Sequence, residues 1–302
     1  MRHKPVLLNE VRNLLGLEPG AVVVDGTLGS GGHAAELVKA IGNSGLLIGL
    51  DQDPASIERC KEKFSDCSNV SLFHSNFVDL DKILDSLNIP QVDAVLLDIG
   101  ISSDQLEDAT RGFSFDRDGP LDMRMNPHGA LQAKDLIADL SQNELESIFR
   151  DYGNERYARK IARMIVEERR HMAIQTTNDL VQVIARTIPG AGKYSQGQRP
   201  PWLKKNPATK VFQALRIAVN DEINTLKRTL PSVWGRIKCG GKLAVITFHS
   251  LEDRAVKWTF RQWHADQEGS LLTKKPIVPT EEEVRANNRA RSAKLRGIQK
   301  RI

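Results

Sequence analysis

Two aspartates and a glycine loop carry the first chemical signal in the chain. Asp25 closes the run AVVVD and leads into Gly26-Thr27-Leu28-Gly29-Ser30-Gly31-Gly32-His33, so Asp25, Gly29 and Gly31 satisfy Asp-x-x-x-Gly-x-Gly. Glycines let the backbone turn tightly and approach a ligand, and the start of a following helix offers free N–H groups to an anion. Asp51 closes the next apolar run, where a carboxylate can accept both hydroxyls of a ribose. Together they point to an adenosine-containing cofactor. Two classes compete. Gly29 to Ala34 also fits a dinucleotide loop with a terminal Ala, which keeps a nicotinamide dehydrogenase open and predicts NAD binding without RNA affinity. Asp25, however, has no role toward a pyrophosphate and suits the ammonium and sulfonium of S-adenosylmethionine, the cofactor these residues favour. The plain structural alternative for Asp25 is a loop acceptor or helix cap.

These residues need a sheet to hold them. Apolar runs at 21–25, 46–51, 92–98 and, more weakly, 70–74 alternate with helical stretches at 33–41, 54–64 and 79–87. Asp53-Pro54 is a strong helix opening, with Asp as N-cap and Pro at the first position. Continuous rather than alternating apolar runs, separated by helices, imply a parallel sheet covered on both faces and a doubly wound α/β domain. Residues 102–130, rich in Gly, Asp, Arg and Phe, read as a long ordered loop. Helical periodicity follows over 133–188, then a polar stretch, a helix over 208–230, and a last strand at 241–248. The expected division is an α/β domain over 1–105 and 206–302, interrupted by a mainly helical substrate-recognition insertion over 106–205. The tail from 284 shows no clear core face.

Composition narrows the class. The 302 residues carry 43 Lys and Arg against 38 Asp and Glu, a net charge of +5. The excess is segregated: 150–216 holds 14 basic against 5 acidic residues, and 284–302 holds 7 basic and no acid. A localised basic surface over an acidic remainder suits a polyanion. Three cysteines (Cys60, Cys67, Cys239), with no Cys-x-x-Cys pair, fit a reducing compartment and give neither a disulfide framework nor a metal site. No apolar run reaches the ~20 residues of a membrane helix, and the N-terminus lacks a secretory or transit pattern. The expectation is a cytoplasmic protein that works off the membrane; its oligomeric state is not legible.

Further blocks are more specific. Asp98-Ile99-Gly100-Ile101-Ser102-Ser103-Asp104-Gln105-Leu106, then Arg111-Gly112-Phe113-Ser114-Phe115 and Asp118-Gly119-Pro120-Leu121-Asp122-Met123-Arg124-Met125, resemble the RsmH (MraW) family. The resemblance continues through HKPVLL at the N-terminus, Tyr152-Gly153-Asn154-Glu155-Arg156, Phe212-Gln213-Ala214-Leu215-Arg216-Ile217, Phe248-His249-Ser250-Leu251-Glu252-Asp253-Arg254, and residues 288–296, covering nearly the whole chain in order. It implies a class I, Rossmann-like S-adenosylmethionine-dependent methyltransferase with a helical insertion. The implied reaction is methylation of the exocyclic N4 amine of a decoding-centre cytosine in 16S rRNA, within the small ribosomal subunit. Carried over by motif, the implied cofactor contacts are Gly31, Gly32 and His33 in the loop, Asp51 at the ribose, Phe77 near the adenine, and Asp98 and Gln105 at the methionine end. The chain departs from the family pattern at Asn126, Asn154, Asn206 and Lys210.

Amine methylation sets its own demands. The N4 lone pair is delocalised into the ring, so catalysis needs in-line alignment and an acceptor for the N4 proton. Asp98, closing the fourth strand, is the expected acceptor, with a role purely as cofactor ligand as the alternative. His249 and Glu252 follow the last strand and are weaker candidates, since HSLEDR also reads as a capped helix start with Ser250 as N-cap and Asp253 three residues on. Phe113 or Phe115 is expected to stack on the base, with a core role as the alternative. No cysteine is placed for the covalent route of C5 methylation. Reaching a stacked base requires extruding it. The candidate phosphate contacts are Arg111, Arg156, Lys204, Lys205 and Arg254, with Arg289, Arg291, Lys294 and Arg296 in the tail; on the helix after Arg156, Arg159, Lys160, Arg163, Arg169 and Arg170 join them. Alternatives within reach are a DNA amino-methyltransferase, a ribose 2′-O enzyme, for which no lysine is suitably placed, and a non-catalytic assembly factor that binds RNA, which an eroded glycine loop would have favoured.

Overall fold

The computed structural model describes residues 5–188, 206 and 208–301. The chain divides into two compact units, one made of Met1–Gly100 and Ile223–Ile302, the other of Ile101–Glu222.

The first unit is built on seven strands: β1 (Val22–Asp25), β2 (Leu46–Asp51), β3 (Val70–His74), β4 (Val92–Asp98), β5 (Ile237–Thr247), β6 (Gly269–Leu271) and β7 (Lys294–Lys300), in the order β3-β2-β1-β4-β5-β7-β6. The first five run parallel; β7 inserts antiparallel against β5, and β6 pairs antiparallel with β7. Val23, Val24, Leu47, Ile48, Ala94, Val95, Leu96 and Leu97 are fully buried, as strands covered on both faces require. Asp53 caps the helix Pro54–Lys63 through its Oδ1, which accepts the Ala55 N–H at 3.0 Å. Asp25, Asp51 and Asp98 all end strands at the carboxyl edge of the sheet, because parallel strands bring their last residues to one side.

The tail corrects the expectation of a free basic segment. β7 is an interior strand: Leu295, Gly297 and Ile298 are buried, and Arg296 is buried too. Arg296 Nε donates to Asp253 Oδ1 at 2.7 Å, Lys294 Nζ to Asp253 Oδ2 at 3.1 Å, and Lys300 Nζ to the Trp234 and Ile237 carbonyls. The amino-acid count is basic, but Lys294, Arg296 and Lys300 are spent inside the fold, while Arg285 and Arg291 stay exposed. A helix at Leu8–Leu15, not read from the sequence, packs near the same strands, with Lys242 Nζ bonded to its Leu15 carbonyl at 2.8 Å.

The second unit packs the helices Ala133–Asp139, Gln142–Asp151, Ala158–Glu168, Thr177–Thr187 and Ala208–Asn220 around Phe149, Leu145, Ile161, Ile165, Leu180 and Leu215. Capping boxes start three of them, Gln132 with Asp135, Ser141 with Glu144 and Thr176 with Asp179. Helix Ala208–Asn220 buries Val211, Phe212 and Leu215 in this cluster, so the second unit extends from Ile101 to Glu222 instead of stopping at 205. The helix anticipated over 208–230 breaks at Asp221, where φ is +47°.

The loop 108–132 knits itself together. Arg111 donates to the Arg124 and Met125 carbonyls at 2.9 and 2.8 Å, Asp122 pairs with Arg124, and Asn220 bonds to Met123 and Met125 backbone groups. Gly112 has φ +68°, and a Cβ there would lie 2.2 Å from the Pro120 oxygen, so no other residue fits. Two of the departures have local explanations. Asn154 sits at φ +47°, a left-handed conformation that Asn tolerates better than Glu, and Asn206 Oδ1 accepts the Ala208 N–H at the start of its helix.

Candidate active site

The loop after β1 is held from both flanks. Asp25 Oδ1 accepts the Thr27 N–H at 3.1 Å, and the Thr27 hydroxyl oxygen accepts the Asp98 N–H at 2.6 Å, which ties the loop to the end of β4. On the other side Asp51 Oδ2 accepts the Gly29 N–H at 2.7 Å and Asp51 Oδ1 the Asp53 N–H at 2.8 Å. Gly31 precedes the helix Gly32–Ile41 at φ +68°, and Lys63 Nζ donates to its carbonyl at 2.6 Å. A Cβ on Gly32 would lie 2.5 Å from Pro5, so the N-terminal segment crosses directly over the loop. Phe77 opens the short turn Phe77–Asp79 beyond β3, next to Gly26.

His33 belongs to the first turn of the helix and not to the loop. It is buried, with Nε2 3.8 Å from Asp98 Oδ2. Asp25 Oδ2 and Asp98 Oδ1 are buried without a hydrogen-bond partner among the described residues. Burial pushes the Asp25 carboxyl up to about 7, with the Asp51 charge adding and the Thr27 N–H opposing. Burial likewise pushes Asp98 to about 7; Asp25 and Glu252 raise it further, and the Arg289 guanidinium pulls it down. Asp51 rises to about 6, again through burial, moderated by the Asp53 and Gly29 N–H groups. Orphaned carboxylate oxygens at such a cost call for a cationic or donor-rich ligand.

A pH effect on stability follows. The folded chain keeps protons on Asp25 and Asp98 well above the unfolded value of 3.8, so it binds more protons than the unfolded chain between about pH 4 and 7. Their contribution is greatest at low pH and is lost as pH rises to about 7. Across pH 5–8 the melting temperature of ligand-free Asp25→Asn should fall less than that of the parent; equal slopes in thermal melts would contradict this.

The remaining candidates separate. His249, not Ser250, is the N-cap of the helix Ser250–Ala265, and Glu252 is its partner three residues on. The capping reading of HSLEDR therefore holds with the frame shifted by one. Glu252 is fully buried; its Oε2 accepts the Phe248 and His249 N–H groups, and its Oε1 lies 2.8 Å from His249 Nε2. Gln105 lies in the second unit, where Oε1 accepts the Ser102 N–H and Nε2 donates to the Met125 carbonyl. Phe113 is core, and Phe115 packs edge-on against Phe212 at 5.5 Å, so neither stands ready to stack on a base.

Among the basic candidates, Arg111 holds backbone carbonyls, as does Arg169, which reaches those of Ile137 and Leu140. Both correct the expectation of phosphate contacts. Arg156, Arg159, Lys160 and Arg163 are exposed, Arg156 lying over the Tyr157 ring at 4.6 Å. Arg254 and Arg291 are exposed, while Arg289 is half-buried with its charge acting on Asp98, a role no local pattern signals. Lys204 and Lys205 lie outside the described residues. The hydroxyl of Thr27 and the closing position of Pro5 were also missed, since neither residue type advertises a site.

With this arrangement in view, the comparison with known proteins is decisive. The profile of the MraW methylase family matches residues 1–301. The chain belongs to the MraW methylase family. S-adenosylmethionine is the methyl donor of this family. Relatives are similar over their full lengths: "Ribosomal RNA small subunit methyltransferase H" of Halothermothrix orenii is 42% identical over 98% of this chain and 97% of that protein. The proteins of the same name from Desulfosudis oleivorans and Coprothermobacter proteolyticus are each 43% identical, covering 99% and 100% of this chain and 99% and 97% of theirs. The orphaned oxygens of Asp25 and Asp98 fit the cationic donor of a MraW methylase, and would leave a neutral or anionic ligand's needs unmet. No helix among the described residues is long and apolar enough to cross a membrane.

Proposed function

We propose that this MraW methylase transfers a methyl group to the exocyclic N4 amine of a decoding-centre cytosine in 16S rRNA, acting on the small ribosomal subunit in the cytoplasm. The observation that carries this reading is the pair of partnerless carboxylate oxygens on Asp25 and Asp98 at adjacent strand ends, in a chain whose relatives bear a small-subunit rRNA methyltransferase name. In this reading Asp25 holds the positive groups of the donor and Asp51 the ribose, while Gly31, Gly32 and, from the first turn of the helix, His33 lie along it. Phe77 lies against the adenine, and Gln105 serves the methionine end. When bound, S-adenosylmethionine supplies an electrophilic methyl on a sulfonium, and its positive charge favours the ionised form of both aspartates.

Asp98 then accepts the proton that N4 loses as the new N–C bond forms. The Arg289 guanidinium opposes the protonation that burial favours in the ligand-free site, and the positive charge of the donor tips Asp98 further toward the carboxylate. Asp98 needs no covalent help. The cysteine nearest the loop, Cys60, is buried, with its thiol 3.7 Å from the Gly29 carbonyl, and burial pushes it up to about 12. A thiol held protonated in this way is no nucleophile, which supports amine over C5 chemistry. Glu252 and His249 act as the cap that sets the start of their helix, a supporting role. The exposed cations Arg156, Arg159, Lys160 and Arg163, with Arg254 and Arg291, hold phosphates and fix position; Lys204 and Lys205 are assigned the same task from the sequence. The inserted helical unit serves substrate recognition.

Tritiated methyl transfer to small subunits and to protein-free 16S rRNA, followed by mass spectrometry of the labelled nucleoside, tests the reaction. The label is expected on N4 of one cytidine. Label on the ring carbon or the ribose would overturn the assignment.

A further inference from the structure

The helix Ser250–Ala265 turns a basic, aromatic face outward. Trp258 is 64% exposed, the most exposed large hydrophobic side chain among the described residues. Arg254 stands four residues before it and Arg261 three after, both exposed, with the half-exposed Lys257 beside them. At 100° per residue these four fall within one stripe about a third of the helix circumference wide. The helix has two acids, Glu252 and Asp253, and both are buried and engaged, the first with backbone N–H groups and the second with Arg296 and Lys294. No ion pair or hydrogen bond occupies Arg254, Lys257 or Arg261, nor any ring contact Trp258, among the described residues. Burying a Trp is worth several kcal/mol in a core, so a solvated ring amid unpaired cations is a face built for a partner.

We infer that the face formed by Arg254, Lys257, Trp258 and Arg261 is a docking surface for an RNA segment, with Trp258 as a stacking platform for an unpaired base and the three cations on flanking phosphates. This rests on the proposed rRNA substrate. The charge pattern selects the occupant: RNA offers a phosphate to each cation and a base face to the ring. A second copy of the chain would set like charges against one another, and a protein partner would need a matching acidic surface.

The test is binding of the full chain to protein-free 16S rRNA across a salt series, with cofactor affinity and melting temperature measured in parallel. Trp258→Ala is expected to weaken RNA binding by about 5- to 100-fold, while Trp258→Phe, which keeps a π-face, retains most of it. The double variant Arg254→Ala with Arg261→Ala should reduce the slope of log Kd against log salt by about 1.4, at ~0.7 per lost single-strand phosphate contact. None of these should alter cofactor affinity or melting temperature. Parental RNA affinity and salt slope in all variants would overturn the inference. So would a Trp258→Ala variant that changes self-association alone, which would assign the face to a second copy. A parent chain that binds this RNA through Trp258 but never methylates it would instead sink the proposed reaction and leave the face standing.

Discussion

Replacing Asp98 by Asn is expected to lower the rate of methyl transfer at saturating cofactor by about 10²–10⁴-fold, the usual contribution of a positioned proton acceptor. The substitution is nearly isosteric and removes a buried carboxylate whose burial already pushes its proton affinity to about 7. The fold should therefore stand, and the ligand-free melting temperature above pH 7 should hold or rise. Two roles for Asp98 make different forecasts. If it only steadies the donor, the variant binds cofactor more weakly but turns over normally once saturated. If it accepts the N4 proton, turnover falls even at saturation, and the acidic limb of the parent's single-turnover pH profile disappears with it. Normal turnover at saturating cofactor would remove the acceptor role. Calorimetry for binding and single-turnover kinetics for chemistry separate the two.

Removing residues 284–302 is expected to abolish cooperative thermal unfolding of the α/β unit. The deleted stretch includes β7, which lies between β5 and β6 in the sheet. Its loss strips the antiparallel partners from β5, uncovers the buried positions of Leu295 and Ile298, each worth about 1.5–3 kcal/mol, and leaves Asp253 without Arg296 and Lys294. Breaking a buried pair on one side alone costs about 3–5 kcal/mol. Together these approach the whole ~5–15 kcal/mol by which domains are stable. A truncated chain with a sharp, parental melting transition would contradict the placement of this strand. The basic count of the tail would suggest the same deletion as a clean probe of RNA contacts; the buried strand makes Arg291 alone, exposed and outside the sheet, the usable probe there.

The parallel strands and their order of appearance were legible because buried strands leave uninterrupted apolar runs, and because Asp25, Asp51 and Asp98 each end one. The same logic made Asp53-Pro54 a readable helix start. The antiparallel β7 was not legible. Its seven residues, KLRGIQK, alternate cations with apolar side chains, and a cation satisfied by Asp253 forty-odd positions away looks identical in sequence to one facing solvent. Phe113 and Phe115 failed for a related reason: an aromatic in a Gly-rich loop carries no mark of whether the loop folds back on itself, and here the bonds from Arg111 to the Arg124 and Met125 carbonyls make it do so. The capping frame at His249 slipped by one because histidine is a rare N-cap and Ser250 a common one.

By itself the sequence determined the family and the chemistry that a glycine loop between strand-ending aspartates can support, since those depend on residue types at short spacing. The tertiary structure alone decided the state of the groups. It left one oxygen each on Asp25 and Asp98 without a partner, brought His33 to 3.8 Å from Asp98, set the Arg289 charge to work there, and sorted the cations into those spent on carbonyls and carboxylates and those left in water. Desolvation and pairing arise only where distant segments meet, and a residue's neighbours in sequence do not report them.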